Sequence, residues 1–178
     1  MRIISVLPIA ACACLAFAAE APTVAQLYDM QVTSAERDVV SLAEAMPADK
    51  YDFAPTAGAF KGVRTFAQQV KHLAAVNYLM AAAAEQIKPP VDTGGESGPD
   101  SIKTKEQIVA FLKGSFAQCH KAARSLTAQN HMEMVASPWQ QPMARGLLVT
   151  GTISHSLDHY GQMVVYARMN GIVPPASK

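Results

Sequence analysis

Three times in this chain a threonine stands three residues ahead of a glutamine, at the head of a run whose apolar residues recur every three or four positions. The pairs are Thr23 with Gln26, Thr65 with Gln68, and Thr104 with Gln107. A Thr-x-x-Gln pair of this kind satisfies the free amides that open a helix, the threonine hydroxyl taking one and the glutamine side chain another. Helix one is therefore expected from about Val24 to Met46, with Tyr28, Val32, Ala35, Val39, Leu42 and Met46 on one face and Pro47 as its stop. Helix two is expected from about Phe66 to Ile87, with a stripe of Phe66, Val70, Leu73, Asn77, Met80 and Ala84, ended by Pro89-Pro90. Helix three is expected from about Lys105 to Ala128, with Ile108, Leu112, Ser115, Cys119, Ala122 and Leu126 inward. A fourth helix, Met143 to Met169, lacks the box but carries Asn170-Gly171 as a C-terminal signal, with Pro174-Pro175 beyond. No run alternates over strand length. The fold class expected is all-α, a four-helix bundle. Segment 88–103, rich in glycine, serine and aspartate, reads as a polar surface loop. Connections 47–64 and 129–142 are long enough to leave the order of the helices around the bundle open.

Composition narrows the function classes. Half of the 178 residues are apolar and 16% are charged, enough for a buried core. Fifteen basic and fourteen acidic residues give a net charge of +1 and form no basic run. That argues against nucleic acid as a partner and against an electrostatic membrane surface.

Residues 1–18 read as a signal peptide. Arg2 supplies a positive charge, Ile3–Phe17 is almost wholly apolar, and Ala16-Phe17-Ala18 offers small residues for cleavage. The apolar run is short for a membrane span, so none is expected in the mature chain, residues 19–178. Ile9-Ala10-Ala11-Cys12 also resembles a bacterial lipobox, which would anchor the mature chain at a lipidated Cys12. Either route implies export, to the periplasm or beyond. After cleavage at Ala18 only Cys119 remains, so no internal disulfide is expected.

The histidines carry the candidate chemistry. His155 and His159 are four residues apart, so their side chains stand one turn apart on one helix face and can converge on one divalent cation. Two surface histidines without a ligand would share that spacing. The inward stripe of helix four is read as Leu148, Gly151, His155, Asp158, Gln162 and Val165, apolar at its ends and polar in its middle. Unpaired polar groups are costly in a bundle core, so the cluster suggests a site. His72 on helix two, with Gln68, Gln69 and Val76 on its own face, is the best candidate for a third ligand, although taken alone it reads more readily as a satisfied histidine at the core edge. His120 and His131 are expected to be solvated, and Cys119 to be an inert buried thiol. Asp158 is a candidate base or a support behind a ligand; Gln162, Asn77 and Tyr160 are candidate orienting groups.

The segment His155-Ser156-Leu157-Asp158-His159-Tyr160-Gly161-Gln162, followed by Arg168, Gly171 and Pro174, resembles the last helix of the DinB-like (DinB/YfiT) superfamily. Met46–Pro55 and Phe66–Ala74 are similar to that family's entry into its second helix. The resemblance runs from about residue 24 to 175. It implies a four-helix bundle with a three-histidine divalent metal site, which maps here onto His72, His155 and His159. Zinc is the expected ion, with nickel, manganese and iron as alternatives. Three imidazoles leave a coordination position open, so the reaction expected of such a site is metal-dependent hydrolysis or transfer on a small molecule bound at the ion, against the alternative of a non-catalytic metal-binding protein of the envelope. Family members that transfer low-molecular-weight thiols draw on cytoplasmic cofactors, which a signal peptide would put out of reach. Pairing as a homodimer stays open.

Overall fold

The computed structural model describes residues 20–178; the expected signal peptide, residues 1–18, and its lipobox cysteine Cys12 lie outside them. Four helices make the body: α1 (Val24–Ala45), α2 (Phe66–Glu85), α3 (Lys105–Arg124) and α4 (Arg145–Met169). Two strands of two residues each, β1 (Met134–Val135) and β2 (Met143–Ala144), pair antiparallel ahead of α4. They are too short for any alternation to announce them in the sequence, and the start expected for α4 at Met143 falls on β2.

All three threonine–glutamine boxes close as read. In each, the hydroxyls of Thr23, Thr65 and Thr104 accept from the glutamine amide three residues on, and the glutamine side chain accepts the threonine N–H. α4 starts differently, with no side-chain cap. The loop before it supplies the acceptors: Arg145 N–H donates to the Glu133 carbonyl and Gly146 N–H to the His131 carbonyl, both at 2.8 Å. At its far end Gly171 takes a left-handed φ of 76°, and the amides of Gly171 and Ile172 close back on Arg168 and Ala167. α2 ends two residues earlier than expected, with Gln86 itself left-handed at φ 55°. α3 stops at Arg124 rather than Ala128, because the Asn130 side chain takes the Thr127 amide and the Ser125 carbonyl and holds a turn there.

Side-chain pairs fix the topology. Lys105 and Lys113 at the head of α3 reach Glu44 at the tail of α1, and His120 reaches back to Asp29, so α1 and α3 are antiparallel. Tyr78 stacks on Phe111 and Glu85 meets Gln118, which sets α2 and α3 parallel. Gln69 meets Gln162 and Asn77 meets Ser156, which sets α2 and α4 antiparallel. The bundle is up-down-down-up, with α1 and α2 at opposite corners. Two parallel neighbours in sequence need a connection that returns the length of the bundle. Here that connection is the segment 86–104, not either of the two long loops marked in the sequence.

The core is built from the expected stripes of α1, α2 and α3. Val32, Val39 and Leu42 share one buried cluster with Phe66, Val70, Leu73, Ile108 and Leu112, and Phe116, outside the expected stripe of α3, joins them. α4 departs from expectation. Its buried arc is centred on Thr152, Ser156, His159 and Met163, whereas Asp158, Gln162 and Val165 are exposed. A helix wedged between two neighbours buries an arc wider than a single stripe. The stripe read from the sequence was one edge of that arc, so His155 lies on the rim and His159 inside.

Candidate metal centre

His72 projects from the middle of α2, and His155 and His159 project from one face of the antiparallel α4. Opposed register brings them to one level. His155 Nε2 lies 3.2 Å from His72 Nε2 and 3.1 Å from His159 Nε2. The three rings stand edge to face, with centroids 4.5–5.0 Å apart. His72 is 7% exposed and His159 6%, while His155 is half-buried. The three sequence candidates therefore meet in one group, able to hold a metal ion. Two imidazole nitrogens bonded to one zinc-like ion at about 2.0–2.1 Å stand roughly 3.0–3.4 Å apart, and both observed separations fall in that range.

Two of the rings are held from behind. His72 Nδ1–H donates to the backbone carbonyl of Glu96 at 2.6 Å. His159 Nδ1–H donates to Gln69 Oε1 at 2.5 Å. Each neutral ring carries one proton, so donation through Nδ1 leaves both Nε2 atoms as lone pairs facing inward. His155 differs. Its Nδ1 is buried without a partner, and its Nε2 sits between two acceptors, where a proton is needed to join them.

Two of the three imidazoles, His155 and His159, are held neutral. Burial, then the rings of His159 and His72, holds the His155 pKa down at about 4; Arg64 adds to this and Asp158 opposes it. His159 is also held at about 4, by burial first and His72 next. Neutral imidazole is the form that ligates.

The crossover segment places the Glu96 carbonyl, and two glycines let it do so. Gly98 has φ 80°, and a Cβ there would come within 2.8 Å of Lys71 Cβ on α2. Gly94 has φ 57°, and a Cβ there would come within 2.6 Å of the Gly98 backbone. The segment is thus folded on itself and seated one residue from His72. Trp139 Nε1 donates to the Glu96 carboxylate at 3.1 Å, tying in the loop before α4.

The remaining candidates sort by position. Asp158 is exposed and accepts from Gln162 Nε2 at 3.1 Å, and Gln162 Oε1 in turn accepts from Gln69 Nε2 at 2.9 Å. Asn77 pairs with Ser156 in the core and does not reach the histidines. Tyr160 lies on the α1 side of α4, near Asp38 and Arg37. Cys119 is fully buried and its thiol is pushed up to about 12 by desolvation, as expected of an inert residue. His131 stands in the loop and is partly exposed. His120 is not solvated as expected. It is off the inner face of α3, but α1 covers it, and its ring bridges Asp29 at 2.5 Å and Glu36 at 3.0 Å. The spacing of Asp29 and Glu36, two turns apart on helix one, was the signal for that clamp. Gln69 was visible beside His72 in the sequence; Glu96, acting through its backbone, had no side-chain signal to read.

A family model described as the DinB superfamily matches residues 31–163. Among solved structures, a conserved protein from Enterococcus faecalis aligns with a TM-score of 0.66 at 16% identity, over 84% of this chain and 98% of its own. A dinb-like protein from Bacillus cereus ATCC 10987 aligns at 0.62 and 15% identity, over 83% and 93%. An uncharacterised protein from Escherichia coli UTI89 aligns at 0.61 and 16%, over 85% and 96%. At these identities the likeness is one of fold. No protein of curated function matches the chain.

Proposed function

Since this chain belongs to the DinB superfamily, we propose that its work is done at a single divalent transition-metal ion held by His72, His155 and His159, with a small molecule as the further ligand. The observation that carries this reading is the convergence of three imidazoles on one point, two of them braced by acceptors on the outer nitrogen. Zinc is the first expectation; nickel, manganese and iron share the preference for imidazole that magnesium and calcium lack. No fourth histidine, cysteine or carboxylate joins the group among the described residues. Structural zinc sites are usually closed by a fourth protein ligand, so a three-ligand group favours an open centre. When bound, such an ion can polarise a carbonyl or phosphoryl oxygen, or lower the pKa of a coordinated water or thiol.

The chain's own groups do the binding and orienting. The Glu96 carbonyl and Gln69 hold two rings, and burial keeps water from solvating them. The positive charge of Arg64 is felt at His155 and His159, which favours an anionic ligand. We take hydrolysis or group transfer as the reaction class, on a substrate that brings its own reactive group.

A non-catalytic role for the ion is the second reading. It is favoured by one observation: Asp158, the carboxylate next to His159 on α4, is engaged by Gln162. Under either reading we propose that residues 1–18 direct export and that residues 19–178 are the working domain. A screen of the zinc- and nickel-loaded protein against ester, amide, phosphoester and thiol-transfer substrates, with His155→Ala as control, separates the two. Turnover lost in the variant supports catalysis. Absence of turnover, with a melting temperature raised strongly by metal, supports the non-catalytic role.

A further inference from the structure

Four side chains from α2 and α4 form a single line of hydrogen bonds. Gln162 Nε2 meets Asp158 Oδ2 at 3.1 Å, Gln69 Nε2 meets Gln162 Oε1 at 2.9 Å, and His159 Nδ1 meets Gln69 Oε1 at 2.5 Å. The direction of the line follows from its outer end. An ionised carboxylate can only accept, so Gln162 must turn its NH2 to Asp158 and its oxygen to Gln69. Gln69 must then turn its NH2 to Gln162 and its oxygen to His159. The only partner left for that oxygen is a proton on His159 Nδ1.

We propose that Asp158, Gln162 and Gln69 act as a directed relay, in which an exposed carboxylate three links away fixes the protonated nitrogen of His159 and keeps its Nε2 lone pair facing His72 and His155. These are positioning residues. The inference rests on the metal-site reading for its purpose but not for its geometry, which belongs to the metal-free chain. It gives Asp158 a role other than that of a base. It also accounts for a buried glutamine on α2 whose nitrogen and oxygen both bond across the helix interface.

The relay makes a prediction that packing alone does not. With Asp158 removed, both glutamines are free to flip, and Gln69 can offer His159 an NH2 instead of an oxygen. Long-range proton–nitrogen NMR on metal-free, histidine-labelled protein should find His159 protonated on Nδ1, and Asp158→Ala should give a mixture of the two tautomers. In a competition titration with zinc, Gln69→Leu should weaken affinity about 10–100-fold, and Asp158→Ala about 10-fold. In a Gln69→Glu background the carboxylate accepts from Nδ1 whatever lies beyond it, so adding Asp158→Ala should change affinity by less than about 2-fold. An equal cost of Asp158→Ala in both backgrounds would mean that Asp158 acts through its charge alone, and overturns the relay. So would an unchanged His159 tautomer in Asp158→Ala. If Gln69→Leu does not fold, Gln162→Leu on the exposed face breaks the same line at its middle link and is read in the same way. A chain that takes up no zinc would defeat the metal-site reading, and the tautomer measurement would still decide the relay.

Discussion

His72 on α2 and Glu96 in the crossover between α2 and α3 are joined by one hydrogen bond, from the ring Nδ1–H to the backbone carbonyl oxygen, at 2.6 Å. The connection that the up-down-down-up topology requires is therefore also a support for the three-histidine group. Its seat against α2 depends on Gly98.

Gly98→Ala tests that dependence. The added Cβ meets Lys71 Cβ at 2.8 Å, on a backbone with φ 80°. We expect a stability loss of about 1–3 kcal/mol, the usual cost of a side chain in the left-handed region. Because the segment must lift from His72, zinc affinity should fall about 10-fold or more. Urea melts and a zinc competition titration measure both; a stability loss with unchanged affinity would separate the crossover from the site.

Acid should weaken the metal-free fold. His155 and His159 are held at about 4 in the folded chain, against about 6.5 in the unfolded one. Between those values the unfolded chain binds more protons than the folded chain, so stability rises with pH across that window and is lost as pH falls from about 6.5 towards 4. Melting temperatures of metal-free protein at stepped pH should show the decline, and His155→Gln with His159→Gln should flatten it.

The metal-free site should hold one odd tautomer. His72 and His159 each donate through Nδ1, whereas His155 Nε2 stands between their lone pairs. Nitrogen NMR should place the His155 proton on Nε2, opposite to the other two. A common tautomer in all three would contradict the assignment.

His120 offers a contrast. Its ring joins Asp29 and Glu36 of α1 to α3, and hydrogen bonds from it and from Arg124 hold the Asp29 carboxyl below its usual range despite burial. Removing a ring that serves two partly buried carboxylates should cost about 1–3 kcal/mol. His120→Ala should lower the urea midpoint accordingly and leave zinc binding unchanged.

Much of this was legible in the residues. The three threonine–glutamine boxes marked helix starts to the residue, and the stripes of α1, α2 and α3 named core positions that are buried. Those signals are local, with a partner three or four residues away. The helix order around the bundle was not legible, because Tyr78 against Phe111 and Gln118 against Glu85 are pairings that no periodicity encodes. The buried face of α4 was read one edge off, since mixed residues such as Thr152 and Ser156 carry little apolar signal although both are buried. The three histidines could be listed; that His72 faces the other two follows only from the antiparallel register of α2 and α4.

The central claim is that His72, His155 and His159 hold one ion together. Elemental analysis of untagged protein offered zinc, nickel, manganese and iron in turn tests it most directly, with each of the three changed singly to alanine and His131→Ala as control. The account predicts about one equivalent of a transition metal in the wild-type chain and in His131→Ala, and less than about a tenth in each of the other three. A wild-type chain that retains less than about a tenth of an equivalent of every ion, or a His72→Ala chain that binds as the wild type does, would contradict it.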